Sequence, residues 1–193
     1  MKVLTARAPT RIDFGGGWTD VPPYSDEEGG FVCNLAIKRY ATVRIRATGD
    51  QGSGVDTRRA ADSALAEAAV RRAGIDGISV EIASDFPIGA GLGGSSAAGV
   101  AVNGALAAWR GHPLDRTALA ERSRAIEVED LGVPGGRQDH YAAAYGGALA
   151  LAFGNGTRVR RLPLSPDLKA ALERRCIVVY TGQSRISGDT ITA

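Results

Sequence analysis

The feature that most constrains this chain is a glycine-rich segment, DFPIGAGLGGSSAAG at residues 85–99, with five glycines and two adjacent serines. The alternating pattern of residues 77–84 predicts a strand directly before it. Apolar residues at helical spacing from Ala98 predict a helix after it, ending near Gly111. Glycines let backbone N–H groups approach an anion, and a helix N-terminus favours negative charge. The segment therefore predicts a phosphate-binding turn, with a purely structural glycine turn as the alternative.

Two common nucleotide-binding motifs do not account for this segment. The P-loop pattern GxxxxGK[ST] is absent, and the segment contains no lysine. The glycines are not a dinucleotide-binding fingerprint either, because no early βαβ unit precedes them. The paired serines, Ser95 and Ser96, still favour phosphate binding, since a hydroxyl at the end of such a turn can ligate the Mg²⁺ of a nucleotide.

Composition narrows the class of protein. A chain of 193 residues that is 44% hydrophobic can bury a sizeable core. The net charge of +2 is too small for the basic surface of a nucleic-acid-binding protein. Cys33 and Cys176 lie too far apart for a metal-ligand pair or a disulfide framework, which suits a reducing cytosol. Because no apolar run has the length of a signal peptide or a membrane span, we expect a cytoplasmic protein without nucleic-acid or membrane partners.

Periodicity and turn residues predict strands and helices that follow one another along the chain. Strands are predicted at residues 2–8, 11–14, 31–37, 40–48, 77–84, 146–153, 157–164 and 176–182. Helices are predicted at residues 59–74, 97–111, 115–130, 137–145 and 165–175. We expect residues 31–48 to form a hairpin, residues 48–57 to form a polar surface connection, and Asp115 to cap a helix. The fold class is α+β.

The glycine-rich segment resembles the second motif of the GHMP kinases, a superfamily that includes galactokinases, homoserine kinases and mevalonate kinases. The matching residues are PIGAGLGGSSAA at 87–98. In that family the loop wraps the phosphates of ATP. The resemblance therefore implies ATP contacts from Pro87, Gly89, Gly91, Leu92, Gly93, Gly94, Ser95, Ser96 and Ala97. It also implies the ribosomal protein S5 domain 2-like fold of the family's N-terminal domain.

A second match lies near the N-terminus. The residues APTRIDFGGGWTD are similar to the substrate loop of the family's sugar kinases, in which a basic residue precedes an Asp by nine positions. Arg11 and Asp20 have this spacing. The resemblance implies that Asp20, the Thr19 hydroxyl and the backbone of Gly16 and Gly17 bind sugar hydroxyls.

A third match is IEVEDLGVPGGRQDHYAAAYGG at residues 126–147, which resembles the segment that holds the family's Mg²⁺-binding Glu and catalytic Asp. The corresponding residues are Glu127 and Asp139. His140 follows the Asp at a position where related kinases often carry Gln, and the sequence assigns it no role.

These residue types suit phosphoryl transfer, which depends on positioning and on neutralising charge at the transferred group. Asp139 would orient or deprotonate the attacking sugar hydroxyl. Arg11 would stabilise developing negative charge. Ser95 or Ser96, together with Glu127, would hold Mg²⁺.

Several of these assignments have structural alternatives. Asp139 could cap a helix that starts near Arg137, and Arg11 could be a surface charge on an edge strand. Glu127 faces away from the predicted core together with Ser123. The spacing of the resembled motif selects Glu127, and Glu129 is kept as the alternative. Ungapped alignment of the glycine loop favours Ser95 over Ser96 as the metal ligand. Trp18 either stacks on a sugar or pads the loop.

Within the family, the sequence is most similar to the D-glycero-D-manno-heptose 7-phosphate kinases, which phosphorylate the anomeric C1 hydroxyl. This similarity is carried by the triple glycine followed by TDVPPY, by GGRQDHYAAAYGG, and by the late YTGQSRISGD. Of these, GGRQDHYAAAYGG favours the heptose kinases over the fucokinases. The loop RIDFGGGWTDVPP also resembles that of the fucokinases, in which a Trp occupies the same place. A heptose phosphate would need an extra cationic site, for which Arg137, Lys38 and Arg185 are candidates.

Family members generally exceed 300 residues and carry a third glycine-rich motif in a C-terminal domain. We therefore expect residues 1–174 to form the domain that binds substrate and ATP phosphates, and residues 175–193 to begin a ferredoxin-like domain that is largely missing. The resulting exposed apolar surface would favour a homodimer. A non-catalytic nucleotide- or sugar-binding module is the alternative to a kinase.

Overall fold

A computed structural model of the protein describes residues 2–48, 54–57 and 60–184. The described strands are β1 (Val3–Gly15), β2 (Gly30–Ala47), β3 (Gly54–Thr57), β4 (Ile78–Ser84), β5 (Ala148–Gly154) and β6 (Gly156–Leu162). The described helices are α1 (Tyr24–Glu27), α2 (Ala60–Ala73), α3 (Gly94–Trp109), α4 (Arg116–Ala125), α5 (Gln138–Tyr145) and α6 (Pro166–Arg175). A π-helical turn, Ile126–Asp130, continues α4.

The strands form one sheet with the order β3-β4-β2-β5-β6, and β1 pairs with β2. β2 pairs with β1 along most of its length. Its other edge is shared, because residues 30–35 pair with β5 and residues 41–47 pair with β4. Pairing is antiparallel except between β3 and β4. The glycine-rich segment follows β4 and starts beside this long central strand, because Asp85 bonds to the backbone of Tyr40 in β2.

Helix α3 is the buried centre of the fold. Nearly every residue from Ser96 to Ala107 is buried, and α3 contacts β1, β2, α2, α4 and α5. The helix consists largely of Ala, Gly and Val, and these small side chains let several elements approach it closely. The main core lies between this helix, α2 and one face of the sheet. The N-terminus of α3 therefore has a fixed position relative to the sheet.

Most predicted elements are present. The helices predicted around residues 59–74, 137–145 and 165–175 are confirmed. Asp115 caps α4 by accepting a hydrogen bond from the backbone N–H of Ala118 at 2.8 Å. The α+β class is confirmed by this mixed sheet and its helices.

Four predictions about strands are wrong. Residues 31–48 do not form a hairpin, because no turn residue interrupts IKRY, and the chain runs on as β2 with a register shift opposite Pro9 and Thr10. The two strands predicted before residue 15 are likewise one strand, β1. The predicted polar connection contains β3, which pairs with the edge of β4.

The last predicted strand is also absent. Residues 176–184 have no regular secondary structure, and the Ile177 side chain is 87% exposed. A β-branched apolar run forms a strand only where a neighbouring strand accepts its hydrogen bonds, and none of the described strands does so.

Candidate active site

The glycine loop is joined to β1 at the edge of the candidate site. The backbone N–H of Arg11 donates to the Leu92 carbonyl at 3.1 Å. The Arg11 guanidinium also donates from Nη1 to the Gly91 carbonyl at 2.6 Å. These two bonds hold the loop against the strand that carries the substrate-loop motif.

Arg11 and Asp139, predicted as the catalytic pair, are in direct contact. Arg11 Nε donates to Asp139 Oδ1 at 2.8 Å, and Arg11 Nη2 forms an ion pair with the same oxygen at 2.7 Å. Arg11 is 9% exposed, so it is not the surface charge of an edge strand. The ion pair joins β1 to the first turn of α5.

Asp139 also lies directly beside the glycine loop. A Cβ atom added at Gly93 would lie 3.0 Å from Asp139 Cγ, so a glycine is needed for this approach. The pKa of Asp139 is raised, because burial disfavours the ionised carboxylate and the nearby charge of Arg11 offsets only part of that effect. Asp139 does not cap α5, because its carboxylate is turned toward Arg11.

Glu127 lies beside both serines at the start of α3. Ser95 Oγ donates to Glu127 Oε1 at 2.7 Å, and Ser96 Oγ donates to Oε2 at 3.3 Å. Burial alone would raise the pKa of Glu127, but hydrogen bonds from His140 and the serines outweigh burial and lower it. The carboxylate is therefore anionic. Glu129, the alternative, pairs instead with Arg72 at the surface, 3.3 Å away.

The donor set at Glu127 suits a hard cation. Mg²⁺ prefers oxygen ligands and usually uses one or two carboxylates together with substrate phosphates. Glu127, Ser95 and Ser96 supply one anionic carboxylate and two hydroxyls at the N-terminus of α3. Within residues 2–48, 54–57 and 60–184, no group of three or more His, Cys, Asp or Glu is arranged as a metal cage. A cation here would therefore need oxygens from a bound ligand.

Two residues of the cluster were not predicted. Asp13 Oδ1 lies 3.2 Å from Arg11 Nε, and burial raises the pKa of Asp13 to about 6 in spite of that cation. His140 Nε2 lies 2.9 Å from Glu127 Oε2. The motif RIDF already placed Asp13 two residues after Arg11, on the same face of a strand. His140 had no such signal, because a residue next to Asp139 on a helix points in another direction.

The predicted substrate loop is held largely by its own contacts. Asp20 is 2% exposed, and its Oδ2 accepts hydrogen bonds from the backbone N–H groups of Arg137 and Gln138 at 2.7 and 2.9 Å. Asp20 thus caps α5, the role considered above for Asp139. The Thr19 hydroxyl donates to the Gly16 carbonyl at 2.7 Å. Sugar binding by Asp20 and Thr19 stays a prediction.

The remaining predicted residues lie around this cluster. Gly17 faces Asp13, with its added Cβ 3.7 Å from Oδ2. The Arg137 side chain is partly buried and lies 3.6 Å from Asp26. Lys38 lies 3.5 Å from Glu173, and Trp18 is exposed. Arg185 lies outside the described residues.

A groove of about 1100 Å³ borders the glycine loop. The loop residues that line it are Pro87, Gly89, Ala90, Gly91 and Leu92. Lys38 and Arg39 of β2 and residues 178–181 also line it. The groove is thus continuous with the backbone that the sequence predicts to bind phosphates.

Comparison with known proteins assigns the central part of the chain to the N-terminal domain of the GHMP kinases. Residues 58–147 match the family model described as GHMP kinases N terminal domain. The chain is 32% identical, over 98% of its length, to the D-glycero-alpha-D-manno-heptose 7-phosphate kinase of Campylobacter jejuni. It is 31% identical, over 95% of its length, to an L-fucokinase/L-fucose-1-P guanylyltransferase of Bacteroides fragilis.

A solved structure gives the same result. The D-glycero-D-manno-heptose 1-phosphate kinase from Bacteroides thetaiotaomicron superposes with a TM-score of 0.76 and 28% identity over 85% of this chain. The chain spans 61% of that protein, 62% of the Campylobacter kinase and 24% of the Bacteroides fragilis protein. The resemblance to the GHMP kinases and the fold predicted from the sequence are therefore confirmed. None of the helices in the described part of the chain is long and apolar enough to cross a bilayer.

Proposed function

We propose that this domain belongs to an ATP-dependent sugar kinase that transfers the γ-phosphoryl group to a sugar hydroxyl. The single observation that carries the proposal is the convergence of three groups on the N-terminus of α3. These are the Arg11–Asp139 ion pair, the glycine loop and the Ser95–Glu127 pair. The ion pair supplies a cation and a base, and the glycine loop supplies backbone N–H donors for phosphate. The Ser95–Glu127 pair supplies oxygen ligands, one of them anionic, that suit Mg²⁺.

Asp139 is the base of the proposed reaction. Its raised pKa makes its ionised form a better proton acceptor, provided that the pH exceeds that pKa. The sugar hydroxyl oxygen forms the new bond to the γ-phosphorus, its proton passes to the Asp139 carboxylate, and the bond from phosphorus to the ADP oxygen breaks. Asp139 lies at the loop that would hold the phosphates, because Gly93 has no Cβ between them.

Arg11 and the loop organise the negative charge. The guanidinium is fixed by Asp139 and the Gly91 carbonyl, so it needs little reorganisation as charge develops on the transferred group. Backbone N–H groups from Gly91 to Ser96, at a helix N-terminus, bind the phosphates. Glu127 and Ser95 or Ser96 would hold Mg²⁺, which supplies charge neutralisation on the phosphate oxygens when bound.

The substrate we propose is a heptose 7-phosphate, phosphorylated at its C1 hydroxyl. The similarity to the Campylobacter heptose 7-phosphate kinase, which extends over 98% of the chain, supports this choice. L-fucose is the second candidate, favoured by the similar fucokinase and by Trp18 in the exposed loop. A non-catalytic sugar- or nucleotide-binding module is the third. The domain boundary at residues 174/175, a homodimer and a cytoplasmic location stay predictions.

A coupled assay of ADP release tests the function. The protein is assayed with ATP, Mg²⁺ and, in turn, D-glycero-D-manno-heptose 7-phosphate, L-fucose, galactose and mannose, both as this chain and as a version extended by the C-terminal domain of a relative. We expect turnover with the heptose phosphate and a loss of about 100-fold or more in Asp139→Asn. Asp76→Asn, an exposed Asp between α2 and β4, is the matched control. If no sugar is phosphorylated in either form, the kinase proposal is wrong and the binding-module alternative is favoured.

A further inference from the structure

A buried histidine lies behind the candidate cation site. His140 is 2% exposed, and both of its ring nitrogens have partners. Nε2 lies 2.9 Å from Glu127 Oε2, and Nδ1 lies 3.2 Å from Ser123 Oγ. Ser123, which is fully buried, and Glu127 lie four residues apart and face the same ring. The imidazole thus joins α5 to the helix and π-helical turn that carry Glu127.

Hydrogen-bonding rules fix which nitrogen carries the proton in the neutral ring. An ionised carboxylate can only accept, so Nε2 must donate to Glu127. Nδ1 is then the acceptor, and the Ser123 hydroxyl donates to it. The bond at Nδ1 stabilises the tautomer that the bond at Nε2 requires, so Ser123 and Glu127 orient the ring together.

Close packing keeps Ser123 in this place. A Cβ atom added at Gly99 of α3 would lie 2.5 Å from Ser123 Oγ, so any larger residue there would displace the hydroxyl. The absent side chain lets α4 pack against α3 at this point. Packing against Gly99 therefore fixes Ser123, and through its hydrogen bond Ser123 helps to fix the His140 ring.

The two oxygens of Glu127 have different surroundings. Oε2 accepts from the buried His140 and, at 3.3 Å, from Ser96, which is itself buried. Oε1 accepts only from Ser95 within the described residues, and Ser95 is exposed. Oε2 is thus the anchored oxygen, and Oε1 is the oxygen on the side where a ligand would bind.

We infer that His140 is a positioning residue that holds Glu127 Oε2 so that Oε1 and the Ser95 hydroxyl face the Mg²⁺ of the bound nucleotide. This inference rests on the proposed function. Groups that orient metal ligands typically change metal affinity by about 10–100-fold when they are removed. Glutamine can replace the imidazole here, since its amide offers one donor to Glu127 and one acceptor to Ser123. Leucine offers neither.

Calorimetric titration with the non-hydrolysable analogue AMPPNP, with and without Mg²⁺, measures this role directly. The proteins are the wild type, His140→Leu, His140→Gln and the control Tyr141→Phe. Tyr141 is the next buried residue of α5, and its hydroxyl donates to Glu121, away from the glycine loop. Near-UV circular dichroism and the affinity for metal-free AMPPNP show whether each variant is folded.

We expect His140→Leu to weaken Mg²⁺-AMPPNP binding by about 10-fold or more while metal-free binding changes little. His140→Gln and Tyr141→Phe should stay within about threefold of the wild type, since each keeps the support of Glu127. The inference is wrong if His140→Leu keeps the wild-type affinity for Mg²⁺-AMPPNP. It is equally wrong if this variant weakens both forms of the nucleotide alike.

A second readout separates this inference from the proposed function. If Mg²⁺ does not strengthen AMPPNP binding by the wild type, the proposed function fails, and ¹⁵N spectra of the imidazole decide whether the positioning pair exists. A proton on Nε2, with a signal that moves in Glu127→Gln and not in Tyr141→Phe, supports the pair. A proton on Nδ1 with Nε2 bare overturns it, whatever the nucleotide affinity.

Discussion

Two guanidinium nitrogens of Arg11 contact the same carboxylate oxygen of Asp139, Oδ1: Nε donates a hydrogen bond at 2.8 Å, and Nη2 forms an ion pair at 2.7 Å. The third nitrogen of the guanidinium donates to the Gly91 carbonyl at 2.6 Å. One planar group therefore sets the distance between the candidate base and the glycine loop. A lysine ammonium is a point charge and cannot make these three bonds in one plane.

Arg11→Lys should therefore abolish most of the activity although it keeps the charge. We expect kcat to fall by about 100-fold or more, because the base and the phosphate loop lose their common support. Steady-state kinetics with the best sugar measures the loss. Arg46→Lys is the matched control, since Arg46 pairs with Glu81 on the exposed surface, 3.5 Å away. An Arg11→Lys enzyme with the kcat of Arg46→Lys would show that positive charge alone suffices.

The contact between Gly93 and Asp139 gives a second prediction. Gly93 has a φ of +70°, and its Cβ would lie 3.0 Å from Asp139 Cγ, so Gly93→Ala combines backbone strain with displacement of the base. Gly111 has a φ of +77° and nothing within 4 Å of its Cβ position. Both alanine variants should lose roughly 1–2 kcal/mol of folding stability in urea unfolding. Only Gly93→Ala should also lose kcat/KM, by about 10-fold or more. Equal activity losses would contradict a positional role for Gly93.

Much of the site could be predicted because its residues lie in contiguous motifs. The glycine loop, Ser95 and Ser96 follow a strand and begin a helix, and local patterns report such an arrangement. The helical wheel grouped Glu127 with Ser123, and that is the face that turns toward the serines and His140. The wheel could not show whether this face meets water or a cleft, since that depends on elements distant in sequence.

What the sequence did not show depends on contacts between distant segments. Asp20 binds the backbone of α5, which begins 118 residues later, and no local pattern marks that partner. The continuity of β2 also depends on distant segments, because β1 pairs with one of its edges while β4 and β5 share the other. His140 contacts Ser123 of α4 and Glu127 of the π-helical turn, so its own sequence neighbours carry no signal of these partners.

Asp20 should have a structural role in addition to its predicted role in sugar binding. Asp20→Ala removes the carboxylate that accepts two backbone N–H groups at the start of α5, and these donors are left without that acceptor in a buried site. We expect a stability loss of about 1–3 kcal/mol together with reduced activity, because α5 carries Asp139. Asp115→Ala removes the exposed cap of α4 and should cost about 1 kcal/mol with activity kept. Chemical unfolding of both variants measures the stability losses, and steady-state kinetics measures the activities. An Asp20→Ala protein as stable as wild type would assign Asp20 to substrate alone.

Asp13 gives the last prediction, which concerns pH. Its folded pKa lies at about 6, above the ordinary 3.8, because burial disfavours the anion and Arg11 only partly compensates. Between these values the folded state binds more protons than the unfolded state, so stability falls as pH rises through this window. The Asp13→Asn variant carries no ionisable group at this position, so it does not lose folding stability in this pH window. It should be more stable than wild type at pH 7.5 by about 1 kcal/mol, reduced from the full linkage value by solvent screening, and equally stable at about pH 3, below the unfolded pKa. Urea unfolding at both pH values, with Asp76→Asn as the exposed control, measures the difference. A variant less stable than wild type at pH 7.5 would mean that the bond to Arg11 outweighs the cost of burying the Asp13 charge.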